Sequence, residues 1–175
     1  MKIGRAARSL ALFAALSGAL PAGHLAAAEL KNLPPRPAPA LSLPALGGGA
    51  LGLEQLRGKV VLVNFWAVWC PPCRKEMPSM ARLADKLAGK PFAILGVNVG
   101  ESPEEIRGFL AKVPVNFPIV MDSEGQQLKA WQVFAFPTSY VLDRKGNIRM
   151  GLFGSVEWDA PEVVARLEAL LAEVD

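Results

Sequence analysis

The chain has 175 residues, of which 19 are lysine or arginine and 16 are aspartate or glutamate, for a formal net charge of +3. This length is enough for one domain with a hydrophobic core. The excess of positive charge lies within the first eight residues, so the rest of the chain is close to neutral. A near-neutral domain argues against a surface that binds nucleic-acid phosphates.

The first 28 residues are typical of a secretory signal peptide. Three basic residues come first, residues 9–20 are apolar or small, and residues 26–28 are alanines that offer a cleavage site. An uncleaved membrane anchor is the alternative, but the apolar stretch is shorter than the ~20 residues that a membrane span needs. The sequence therefore predicts export to the periplasm with cleavage after residue 28.

Two residue types narrow the chemistry of the exported part. The one histidine, His24, lies within the signal, which removes His-based catalytic triads and most metal sites with mixed ligands. The two cysteines, Cys70 and Cys73, form a C-x-x-C pair, and cysteines of exported proteins usually form disulfides. Closing so short a ring adds little stability, so the pair is interpreted as redox-active. A local structural staple is the alternative.

The chain before the main domain is predicted to be extended. Residues 29–46 are rich in proline and are expected to form a lead-in rather than an element of the core. Residues 41–43 are predicted to pair with residues 50–53 in a small β-hairpin. Lead-in and hairpin make up residues 29–57, and the main domain is expected over 58–175.

Apolar runs and helical spacing alternate through the main domain. Residues 59–66 are continuously apolar, as expected for a strand covered on both faces, and a helix is predicted over residues 71–88. Further strands are predicted at 92–99, 117–121, 139–142 and 148–153, and further helices at 126–131 and from about 102 and 159. The order β-α-β-α-β-α-β-β-α predicts an α/β fold with a central mixed sheet and helices on both faces.

The two cysteines lie where the first long strand meets the first long helix. A helix N-terminus carries unpaired N–H groups and a partial positive charge, which favour a thiolate. Cys70 is therefore predicted to be the nucleophile, and Cys73, expected to be more buried, to resolve the mixed disulfide. Pro71 and Pro72 lack N–H groups that could bond to the Cys70 sulfur, which favours a couple on the reducing side.

The segment from Asn64 to Pro78, with the sequence N-F-W-A-V-W-C-P-P-C-R-K-E-M-P, resembles the active-site segment of the thioredoxin superfamily. Within it, the chain resembles most closely the exported ResA/TlpA-like thiol–disulfide oxidoreductases. The resemblance begins at about residue 41 and continues to the C-terminus. It implies a thioredoxin-like fold with an N-terminal β-hairpin and a central βα insertion, and no cofactor. Pro78 matches a proline that kinks the active-site helix.

The resemblance also implies a substrate groove beside the cysteines. Phe136, Pro137 and Thr138 match a loop whose cis-proline faces the C-x-x-C pair and forms an edge against which a substrate chain can pair. Trp69 is expected to be exposed and to touch the partner. Simple packing is the alternative for Trp69 and Phe136.

An acidic residue next to the active site is implied as well, and Glu101 falls on that position. Ordinary thioredoxins carry a buried aspartate where this chain has Asn64. Glu101 is therefore the predicted group that handles the proton of Cys73, because a partly buried carboxyl near thiols is suited to acid–base work. An ordinary acid at the start of a helix is the alternative.

The leading hypothesis is an exported monomer that reduces disulfides in protein clients and receives electrons from a membrane thiol relay. The resemblance implies the type of client. Such clients include the haem-attachment C-x-x-C of apocytochromes c and the copper-site cysteines of oxidases. One alternative is an oxidant that introduces disulfides. Another is a copper carrier that uses Cys70 and Cys73 with Met77 and Met80, although two thiolates without histidine form an incomplete metal site.

Overall fold

The computed structural model describes residues 28–173, so the predicted signal peptide lies outside the described residues except for its last alanine. The strands of the described part are β1 (Lys31–Pro37), β2 (Ser42–Pro44), β3 (Ala50–Gly52), β4 (Val60–Trp66), β5 (Phe92–Val99), β6 (Ile119–Asp122), β7 (Thr138–Leu142) and β8 (Asn147–Phe153). Its α-helices are α1 (Pro71–Lys86), α2 (Pro103–Leu110), α3 (Gln127–Ala130) and α4 (Pro161–Ala172). A short 3-10 helix covers Leu53–Leu56.

Six strands form one sheet in the order β1-β8-β7-β4-β5-β6. The sheet is mixed, as the element order predicts. Strands β4, β5 and β6 are parallel, whereas β7 runs antiparallel to β4, and β8 and β1 continue antiparallel. Every residue of β4 from Val60 to Trp66 is buried, which explains its continuous apolar run. The central strand therefore delivers the next loop and helix α1 from the middle of the sheet.

The two faces of the sheet are covered differently. Helices α1, α2 and α4 pack on one face and contribute most of its core. The hairpin, the 3-10 helix and the residues around α3 cover the other face. Helices thus lie on both faces, as predicted, but not in equal number. Within residues 28–173, α3 is the one α-helix on the second face.

The proline-rich segment differs from the prediction. Residues 31–37 are extended, but they form the edge strand β1 of the main sheet, paired antiparallel with β8. The register shifts between Asn32 and Arg36, where Pro34 and Pro35 have no N–H to donate. An edge strand tolerates proline, since only one of its sides is hydrogen-bonded, and this explains why a proline-rich stretch joins the sheet. The predicted hairpin agrees with the pairing of β2 and β3.

Helix α1 carries the cysteine pair. Cys70 is its N-cap residue and Pro71 its first residue, a position at which the missing N–H is tolerated. The helix continues through Pro78 and ends at Lys86, two residues before the predicted end. Its buried face, which packs on the sheet, consists of Cys73, Glu76, Met77, Ser79, Met80 and Leu83.

Candidate functional site

Cys70 and Cys73 form a disulfide at the N-terminus of helix α1, with their Cα atoms 5.3 Å apart. The backbone N–H of Cys73 donates to the Cys70 sulfur at 3.3 Å. Pro71 and Pro72 have no N–H to offer, so this first available amide of the helix supplies the bond. The helix start therefore presents one backbone donor to the sulfur of Cys70.

The two cysteines differ little in burial. Cys70 is 2% exposed and Cys73 is fully buried. The difference has the expected direction, but it is small. The assignment of Cys70 as the nucleophile depends instead on its position as the helix cap, and it stays a prediction.

Trp69 and Phe136 form an aromatic pair beside the disulfide. The two rings meet edge to face with centroids 5.7 Å apart. Trp69 is 65% exposed although it directly precedes a buried cysteine. Trp69 is thus exposed next to Cys70, as expected, whereas its contact with a partner stays a prediction.

The loop before β7 has the predicted cis peptide bond between Phe136 and Pro137. Thr138 behaves differently from the prediction of a groove residue. Its side chain is buried, and its hydroxyl donates to the carbonyl of Ala135 at 2.8 Å. Thr138 therefore holds the loop from inside rather than lining an open groove, because its hydroxyl is used within the fold.

Glu101 is 9% exposed and lies against the loop that precedes the cysteines. Its carboxylate accepts the N–H of Val68 at 2.8 Å and the N–H of Trp69 at 3.3 Å. The side-chain amide of Asn98 donates to it at 2.6 Å. These contacts give Glu101 a clear role in holding the loop that places Trp69, whereas its predicted part in proton transfer stays a prediction.

A second acid, Glu76, occupies the buried face of helix α1, three residues after Cys73. It is 1% exposed. The side-chain amide of Asn64 donates to one carboxyl oxygen at 2.8 Å, and the indole N–H of Trp158 donates to the other at 3.0 Å. Burial raises the pKa of Glu76 to about 7, and the hydrogen bonds from Asn64 and Trp158 oppose that rise. A carboxyl group that titrates near neutral pH can give and take protons under working conditions.

Asn64 connects Glu76 to the centre of the sheet. Its amide also donates to the hydroxyl of Ser139 on β7 at 2.9 Å. The strand position at which ordinary thioredoxins are expected to carry an acid thus holds a neutral donor, and the acid comes from the facing helix. Residues three apart on a helix are neighbours on its surface, so Glu76 lies on the same face as Cys73.

Glu76 was within reach of sequence reasoning, which assigned it no role. Cys73, Glu76, Met77 and Met80 follow the i, i+3, i+4, i+7 spacing of a buried helical face. An acid on such a face is rarely buried without a partner or a function. That pattern is the signal that could have found it.

Glu76→Gln should change how stability depends on pH. The pKa of Glu76 rises from an ordinary 4.5 to about 7 on folding, so the folded state binds its proton more tightly than the unfolded state does. The stability of the wild type should therefore fall as pH rises from 4.5 to about 7, by about 3 kcal/mol relative to Glu76→Gln. Urea unfolding across this range measures the difference. Glu162→Gln, at an exposed position of α4, is the control, and parallel curves for wild type and Glu76→Gln would contradict the assignment.

Glu101→Gln should loosen the loop before the cysteines. The N–H of Val68 is shared between both carboxyl oxygens of Glu101. A glutamine side chain keeps one of these acceptors but loses the second and the negative charge, which weakens the bond. Exchange of the Val68 amide hydrogen should become about tenfold faster or more, since a bond to a charged acceptor contributes about 1.5–3 kcal/mol. Hydrogen exchange followed by NMR measures this. Glu104→Gln, an exposed change of the same charge in α2, should leave Val68 unaffected, and equal exchange in both variants would refute the loop-holding role.

Comparisons with known proteins agree with this site. The AhpC/TSA family matches residues 34–150. The thiol-disulfide oxidoreductase ResA of Geobacillus kaustophilus is 37% identical over 68% of this chain and 68% of its own length. ResA of Bacillus subtilis is 38% identical over 63% of this chain, and the match spans 62% of that protein, less than two thirds of it.

A solved structure shows the same architecture. The crystal structure of a proposed thiol:disulfide interchange protein DsbE from Chlorobium tepidum superposes with a TM-score of 0.74 at 31% identity, covering 82% of this chain and all of that one. The predicted thioredoxin-like fold is thereby confirmed, and the predicted class of enzyme, a thiol–disulfide oxidoreductase, agrees with the names of these relatives. The chain belongs to the AhpC/TSA family and is a thioredoxin-like protein of the ResA type.

Proposed function

We propose that this protein is an exported thiol–disulfide oxidoreductase that reduces disulfides in client proteins through Cys70 and Cys73. One observation carries the proposal: a disulfide at the start of helix α1 shares a helical face with a buried carboxyl group of pKa about 7. A purely structural bridge has no use for a titrating acid. Thiol–disulfide exchange does, because the resolving thiol must lose a proton before it attacks.

The first half of the reaction forms a mixed disulfide. In the reduced protein, the thiolate of Cys70 attacks one sulfur of the client disulfide. A bond forms between Cys70 and that sulfur, the client S–S bond breaks, and the second client sulfur leaves as a thiolate that takes a proton from water. The partial positive charge of the helix N-terminus and the N–H of Cys73 favour the attacking thiolate.

The second half releases the client. The carboxylate of Glu76 takes the proton of the Cys73 thiol, and the resulting thiolate attacks the Cys70 sulfur. The bond between Cys70 and Cys73 forms, the mixed disulfide breaks, and the first client sulfur leaves as a thiolate. Two electrons have passed to the client, and Glu76 returns its proton to the solvent or to the departing sulfur.

The reducing direction is supported by the environment of Cys70. Its sulfur receives one backbone donor, from Cys73, at a helix start where two prolines remove other donors. Fewer donors stabilise the thiolate less, and a less stabilised reduced form lowers the reduction potential. This argument favours a reducing couple over a strong oxidant.

The localisation is inferred from the predicted signal peptide, and the contact with clients from the exposed ring of Trp69. Export rests on the signal-like first 28 residues. Within residues 28–173, no helix combines the length and apolar character of a membrane span. The aromatic pair of Trp69 and Phe136 would contact a protein client, either an apocytochrome c or a copper-site protein of an oxidase. The protein would act as a monomer, and a membrane thiol relay would reduce its disulfide again.

Cys73→Ala should trap clients as mixed disulfides. Without the resolving thiol, the bond between Cys70 and the client persists, so adducts should accumulate in the exported compartment and disappear on reduction. Non-reducing gels with mass spectrometry detect them and identify the clients. Cys70→Ala is the matched control and should trap little. Adducts that form only with Cys70→Ala would reverse the two roles.

The reduction potential tests the direction of electron flow. We expect a value below about −200 mV, in the range of reducing couples, whereas strong oxidants lie near about −120 mV. Equilibration with glutathione buffers, read out by tryptophan fluorescence of Trp69, measures it. A potential at the oxidising end would overturn the reductant and favour an enzyme that introduces disulfides.

A further inference from the structure

Trp158 lies in the loop between β8 and α4, and its side chain is fully buried. Its indole N–H donates to Glu76 at 3.0 Å. Two other buried tryptophans, Trp66 and Trp131, have no hydrogen-bond partner for their indole N–H within the described part of the chain. The indole N–H of Trp158 thus donates to the buried acid, whereas those of Trp66 and Trp131 donate to no group of residues 28–173.

The backbone of Trp158 is joined to the same turn of helix α1. Its N–H donates to the hydroxyl of Ser79 at 3.0 Å. That hydroxyl in turn donates to the backbone carbonyl of Glu76 at 2.7 Å. Side chain and backbone of Trp158 therefore fix one position relative to the side chain and backbone of Glu76.

The residues on either side of Trp158 are tied to the next turn of α1. Arg82 bonds to Asp159 at 2.8 Å and to Glu157 at 3.2 Å. Lys86 donates to the backbone carbonyl of Asp159 at 2.7 Å. Each exposed ion pair contributes little by itself, but together they attach both neighbours of Trp158 to the helix that carries Glu76.

The groups that face the carboxyl of Glu76 are neutral dipoles. Asn64 reaches it from β4, and Trp158 and the backbone N–H of Val156 reach it from the loop before α4. On its own helix, Cys73 is the neighbouring titratable residue. The charged residues nearby bond to one another on the protein surface rather than to Glu76; they are Arg82, Lys86, Glu157 and Asp159. The ionised form of Glu76 consequently depends on dipolar donors.

We propose that Trp158 is a positioning residue for thiol exchange, which holds the carboxylate of Glu76 in place, stabilises its ionised form through the indole N–H and closes it off from water. The inference rests on the proposed function, in which Glu76 takes the proton of Cys73. With the donor present, a substantial share of Glu76 is ionised near pH 7 and can accept that proton. Without the donor, Glu76 keeps its own proton to higher pH, so resolution of the mixed disulfide is delayed to higher pH.

Trp158→Phe tests this link, because it keeps an aromatic ring and removes the N–H. We expect the pKa of Glu76 in the oxidised protein to rise by about one, since a bond to a charged group is lost. Infrared absorption of the protonated carboxyl across pH measures it, with Glu76→Gln to identify the band. In the oxidised protein the cysteines are bonded and do not titrate. The pH midpoint of mixed-disulfide resolution, followed by stopped flow, should move upward in parallel.

Trp131→Phe is the matched control. Trp131 is buried on the other face of the sheet, and its indole N–H has no bond to lose among residues 28–173. Trp131→Phe should leave unchanged both the pKa of Glu76 and the pH midpoint of mixed-disulfide resolution. A shift in this variant would instead indicate a general loosening of the core. Equal shifts in the two variants, or an unchanged pKa of Glu76 in Trp158→Phe, would overturn the proposal.

Two further results separate this proposal from the proposed function. If Glu76→Gln leaves the pH profile of resolution unchanged, the proton step of the proposed function fails. If Glu76→Gln changes the profile but Trp158→Phe does not, the role of Trp158 alone fails. Should Trp158→Phe not fold, Arg82→Lys tests the same link from the surface, because it keeps the charge and loses the planar fork that bridges Glu157 and Asp159. A smaller rise in the pKa of Glu76 supports the role, and no rise overturns it.

Discussion

The site depends on one carboxyl group that is buried on the core face of helix α1. Moving an ionised carboxyl away from water is unfavourable, and no lysine or arginine of residues 28–173 is paired with Glu76 to neutralise it. Three neutral donors soften the penalty without removing it, so the group titrates near neutral pH. The same burial that makes Glu76 unfavourable for stability therefore makes it useful for moving protons beside a thiol pair.

Two acids near the cysteine pair, Glu101 and Glu76, differ in their hydrogen-bond partners. Glu101 receives its hydrogen bonds from the backbone of the loop that leads to Cys70, so it holds geometry. Glu76 follows Cys73 along the helix and receives its bonds from the side chains of Asn64 and Trp158 and the backbone N–H of Val156. Glu101 thus fixes the loop that leads to Cys70, and in the proposed reaction Glu76 takes the proton of Cys73.

Local sequence patterns predicted most of the fold and the position of the cysteine pair, because strand β4 and the start of α1 are close together in sequence. The edge strand β1 was missed since proline disfavours strands in general but is tolerated at an edge. The environment of Glu76 was missed for another reason. Its partners Asn64 and Trp158 are 12 and 82 residues away in sequence, so they meet it only through the packing of α1 and the loop before α4 against one face of the sheet.

This packing couples the chemistry of the thiols to that of the acid. When the disulfide opens, a thiolate at Cys73 and a carboxylate at Glu76 would share one buried helical face, and two like charges in such surroundings disfavour each other. In the proposed reaction the two groups therefore share a single proton. In that reaction the proton leaves Cys73 for Glu76 as resolution begins, and Glu76 would release it once the new disulfide has removed the competing charge. The direction of proton movement thus follows the redox state of the cysteines.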